Sequence, residues 1–138
     1  MKLELSRVPI CALGRRIVLL AIVSACASVS VAAHAGRGLN GGQLADAGSG
    51  HVEFIGGPGY QLLIFAISDK AQKPVSAKGS AAVAFIDQNG KQFRVPLAVE
   101  DDNFLSASVG LSLIRGSSVW FVARLPTGET VKVQFIAK

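Results

Sequence analysis

The sequence predicts an all-β domain, an antiparallel immunoglobulin-like sandwich of seven or eight strands that follows an N-terminal signal segment. Three observations carry this prediction. From His51 onward, short β-type runs are broken by turn residues at intervals of about 8 to 12 residues. Several runs alternate apolar and polar side chains with the period of two that puts one face in a core and the other in water. No window holds a helical apolar period with capping residues at its start and stop. A small closed barrel would fit the same pattern and is the alternative.

The elements follow in order. Met1 to Ala35 reads as a signal peptide, with a basic start (Lys2, Arg7, Arg15, Arg16), an apolar stretch from Ile17, and a small-residue end at Ala33-His34-Ala35. Cleavage after Ala35 leaves a mature chain with no membrane span, and the expected location is the periplasm. Val23-Ser24-Ala25-Cys26 also resembles a lipobox, so the alternative is lipidation at Cys26 and a lipoprotein anchored there. The residues after Cys26 stay mostly apolar, which favours the cut at Ala35. Both cysteines, Cys11 and Cys26, lie in this segment, so the mature domain has no disulfide, no thiolate nucleophile and no Cys ligand.

Removing the segment takes away four basic residues and one acid, Glu4, and the net charge falls from +5 to +2. The remaining cations are scattered with no run of three, so no nucleic-acid partner is expected.

Residues 36–50 form a Gly-rich flexible lead-in with one short edge strand at Gln43 to Ala45. The sandwich domain, 51–138, then has runs at His51–Ile55, Tyr60–Ser68, Ala81–Asp87, Lys91–Val99, Phe104–Ser108, Val119–Leu125 and Thr130–Ala137. Asn89-Gly90 marks a type I′ hairpin, because both central residues of that turn need positive φ. Pro126-Thr127-Gly128-Glu129 reverses the chain so that the last two runs pair. In the fourth run Phe93, Val95 and Leu97 point to the core, and in the last run Val131, Val133 and Phe135 do so. Pro96 cannot donate to a ladder, so its strand is an edge or ends there.

Catalytic chemistry finds little support. After Ala35 only His51 could serve a triad, no serine lies in a G-x-S-x-G context, and Glu100-Asp101-Asp102 falls in a solvated turn. Gly56-Gly57-Pro58-Gly59 precedes a strand and is not a phosphate loop. The chain reads as a non-enzyme with no cofactor. His51 and Glu53, two apart on a strand, share a face and suit weak copper or zinc binding, with Asp46 or a freed Gly36 amine as the nearby additional ligands. The bland reading is an exposed strand-edge His beside a surface Glu. Trp120 and Phe121 are adjacent. The expectation is a central strand buried on both faces with Leu62 to Ile67 as a neighbour, and the alternative is an exposed Trp platform.

Gly41-Gly42-Gln43-Leu44-Ala45-Asp46-Ala47-Gly48, then His51-Val52-Glu53, then Ser68-Asp69-Lys70-Ala71-Gln72-Lys73-Pro74-Val75, and finally Leu125 to Phe135 together resemble small exported proteins of Gram-negative bacteria. The similarity covers Asn40 to about Gln134. The resemblance implies a periplasmic Ig-like β-sandwich found alongside heavy-metal efflux components, and matches His51 and Glu53 to the group's H-V-E-like strand. Many of these proteins start with H-G-G where this chain has Asn40-Gly41-Gly42. The functional expectation is an exported, non-enzymatic binding or accessory module with a protein partner in the cell envelope. It would work in copper-type metal homeostasis or, alternatively, as a metal-free structural or interaction module.

Overall fold

The computed structural model describes residues 36–138. The expected signal segment, its expected cleavage site and Cys26 lie outside the described residues. Within them are nine strands and no helix: β1 (Gly36–Arg37), β2 (Gln43–Ala47), β3 (Gly50–Ile55), β4 (Leu62–Asp69), β5 (Ala81–Gln88), β6 (Lys91–Val99), β7 (Phe104–Ser108), β8 (Ser118–Arg124) and β9 (Thr130–Ile136). No helix among the described residues is long and apolar enough to cross a membrane.

The strands form one antiparallel sheet in the order β1-β2-β3-β4-β7-β6-β5-β8-β9, curled into a half-barrel. The curl turns on β6. Its residues Lys91 to Leu97 pair with β5, whereas Ala98 and Val99 pair with Ser106 and Leu105 of β7. One strand thus carries the chain between a wall of β1, β2, β3, β4 and β7 and a facing wall of β6, β5, β8 and β9. At the opposite side β2 and β9 share no ladder. There Gln43 Nε2 donates to the Ile136 carbonyl (2.9 Å), and the Ser49 amide and hydroxyl donate to the Glu129 carboxylate (3.0 and 2.7 Å).

The core fills the space between the walls as the strand alternation requires. Phe54 and Phe65 come from one wall, Phe121 and Phe135 from the other, and all four are fully buried. Phe65 is the hub: its ring centroid lies 5.2 Å from Phe54, 4.8 Å from Phe121 and 6.0 Å from Phe135. Tilted and offset rings at these separations add electrostatic attraction to the area they bury.

Two features of the sequence reading change. The strand count is nine rather than seven or eight: the short strand expected at Gln43 to Ala45 is β2 and runs on to Ala47, with Leu44, Ala45 and Ala47 buried, and β1 pairs with it in addition. The glycines of the lead-in mark turns and close approaches around β2. Trp120 is half-buried on the outer face of β8, between β5 and β9, and Leu62 to Ile67 is not its neighbour. The hairpins follow expectation: Asn89 and Gly90 have φ of 53° and 71°, and β8 pairs with β9 through the turn at Gly128.

Phe65→Ala should remove the hub of the aromatic cluster and cost about 3–5 kcal/mol, read as a lower midpoint in urea unfolding.

Candidate functional site

Glu53 is not a surface residue. It points away from the core, yet it is only 4% exposed, because the chain from Gly38 to Gly42 folds over it. Its carboxylate accepts from the Asn40 amide (3.0 and 3.3 Å), from Asn40 Nδ2 (2.9 Å) and from the Gly42 amide (2.7 Å). The approach depends on missing side chains. A Cβ on Gly38 would overlap the Glu53 carboxyl, and one on Gly42 would overlap the Phe54 carbonyl oxygen. A buried carboxylate needs such donors to offset its lost hydration. The sequence offers a signal for this contact only in hindsight, as glycines flanking an Asn ahead of a strand.

His51 is held separately. Its side chain is 15% exposed and lies on the same strand face, opposite Asp46 in the β2–β3 register. Nε2 lies 3.1 Å from Asp46 Oδ1, and Nδ1 lies 2.9 Å from the Asp69 carbonyl oxygen. Nδ1–H donating to a carbonyl fixes the ring and turns Nε2 toward the carboxylate, the arrangement that orients many metal-ligating histidines. The structure therefore joins His51 to Asp46, while the Glu53 oxygens are occupied by the lead-in. Asp69's own carboxylate caps its turn, accepting from the amides of Ala71 and Lys73. Among the described residues no three His, Cys, Asp or Glu side chains gather as a metal cage. The cavity beside His51, walled by Val52, Ile67, Leu125 and Val131, measures about 70 Å³. That is far below the roughly 300 Å³ at which small-molecule pockets begin.

A larger opening lies where β6 and β7 part. Beyond Ala98↔Ser106 the two strands splay, so Lys91 to Leu97 has a ladder partner on one side only, β5. Between this free edge and Ser108 to Leu111 runs a groove of about 640 Å³. Phe93 and Val95 line it, still half-buried against the core, with Val109 and Leu111 opposite. Pro96 lies in the same run, so the expectation of an edge is met at the residue that suggested it. The chain matches no family model, no curated protein and no solved structure.

Glu53→Gln keeps one oxygen for the Asn40 and Gly42 amides but puts an N–H donor opposite Asn40 Nδ2 in place of the second oxygen, and should cost about 1–3 kcal/mol. Hydrogen exchange at the Asn40 and Gly42 amides should speed up at the same time. The tie across the seam is pH-dependent. The Ser49 hydroxyl, then the Ser49 amide, with a smaller contribution from Lys70, lower the Glu129 carboxyl below its ordinary 4.5. A group whose folded value is depressed stabilises above the unfolded value and loses that contribution as pH falls through the folded one. Glu129→Gln should therefore unfold at lower urea than the parent at pH 7, and the gap should close as the carboxyl protonates below 4.5.

Proposed function

We propose that this protein is an exported, non-enzymatic interaction module of the cell envelope that works without a metal, through its open sheet edge. The unpaired run of β6 beside an apolar groove carries this reading. Backbone N–H and C=O groups at a sheet edge are a ready template for another strand. Here the template adjoins Phe93 and Val95, which an incoming strand could cover. At ~3.3 Å per residue, an extended partner segment of roughly five residues spans Gln92 to Pro96. Arg94 supplies the only charge among the groove's lining residues, which suits a segment carrying an acid. Pro96 closes one end, so pairing stops after a few residues and open-ended stacking of copies is discouraged.

A photo-crosslinking side chain at position 94, expressed in the native envelope, should trap a partner through one contiguous segment, mapped by mass spectrometry. The same group at exposed Lys78 should not. No adduct at 94, or equal adducts at both positions, would count against the reading.

A second reading, an accessory of copper-type homeostasis, rests on the oriented His51–Asp46 pair. Under it, one equivalent of Cu(II) or Zn(II) should perturb the His51 ring resonances, and Asp46→Asn should weaken the effect. Unmoved resonances at stoichiometric metal would remove it.

A further inference from the structure

We infer that the outer face of the β6-β5-β8-β9 wall is a binding platform for an acidic polysaccharide, centred on β5, β8 and β9 and meeting the β6 groove only along its rim at Gln92, Arg94 and Pro96. The strand alternation that buries Ile86, Phe121, Val133 and Phe135 turns the intervening side chains outward. The registers place these in rows. One row runs Arg94, Phe85, Trp120, Gln134, and the next runs Pro96, Val83, Val122, Lys132. No element among the described residues covers this face, so two aromatic and two aliphatic side chains stand half-exposed on it.

The chemistry of the rim selects the ligand. Three cations of outward parity lie in the ring row and to one side of it, Arg94 beside Phe85, Lys132 one row on and Arg124 two rows on, with one acid, Asp87, on the other side. Lys132 Nζ sits 4.7 Å from the centroid of the Trp120 ring, a cation held over an aromatic face and free to turn toward an anion. Neutral hydrogen-bonding groups are interleaved: Gln134 Nε2 donates to Ser118 Oγ (2.6 Å), with Gln92 and Thr130 on the same face. A ring with an apolar C–H face, several hydroxyls and a carboxylate uses all three kinds of group, and a uronic-acid polymer repeats that unit. A single-stranded nucleic acid fits less well. It needs a track of cations along the backbone and successive stacking rings, whereas here a single Phe85–Trp120 step has three separated cations to one side.

Trp120 is the only tryptophan in the chain, so its fluorescence reports on this surface alone. Titrating the protein with polygalacturonate should change the emission saturably, whereas neutral dextran should not. Lys132→Glu and Arg124→Glu, both at exposed positions, should each weaken the polygalacturonate response by roughly tenfold or more, equivalent to about 1.4 kcal/mol. Added salt should weaken it in the parent. The inference is overturned by an unchanged emission, or by an equal response to dextran, which would mean apolar contact alone. It is equally overturned if polyglutamate binds as well, which would mean charge alone, or if oligothymidylate binds more tightly, which would mean a nucleic-acid platform.

Discussion

The four phenylalanines between the two walls are the constraint on which the rest of the structure depends. A curled sheet that does not close has backbone bonding along its wall but none across its interior. Here the only strand laddered into both walls is β6, at its bend. Phe54 and Phe65 on one side and Phe121 and Phe135 on the other fix the spacing and the curl by packing. With the interior filled this way and no disulfide available after Ala35, the outward side chains of the β6-β5-β8-β9 wall are left without a covering layer. The proposed recognition surfaces therefore lie on the outside of the wall and at the split beside β6.

Near the first hairpin, the residues with the most chemical promise hold the architecture together. Glu53 fastens the lead-in over β3, His51 bridges Asp46 and the end of β4, and Ser49 ties the β2–β3 turn to Glu129 in the β8–β9 turn. Burial separates the two members of the pair that the sequence put together. Two side chains on one strand face share a direction, but their partners come from different places: a neighbouring strand for His51, a folded-over loop for Glu53.

Much of the fold was legible. Period-two alternation located seven strands to within a residue or two, and Asn89-Gly90, Gly128 and Pro96 declared their turns and edge through backbone restrictions that act locally. What escaped depends on contacts distant in sequence. Gln43 to Ala45 was legible as a short strand, but the closing of Gly38 to Gly42 over Glu53 was not, because its glycines were read without the loop they allow. Trp120 looked buried on both faces because an unbroken apolar run does not say whether a second layer exists to cover it. The groove was legible only as a proline in a strand, since the splaying of β6 from β7 follows from the curl of the whole sheet. Within the candidate site, the approach of His51 to Asp46 follows from the hairpin register, whereas the engagement of Glu53 by Asn40 and Gly42 does not.

The seam between β2 and β9 also has a mechanical consequence. These strands lie toward opposite ends of the sheet order, near the two ends of the described chain, and side chains alone tie them: Gln43 to the Ile136 carbonyl, and Ser49 to Glu129. Tension applied between the ends of the domain would load these few hydrogen bonds first. The half-barrel would then open by parting its walls, and the aromatic packing between them would give way before the ladders within each wall.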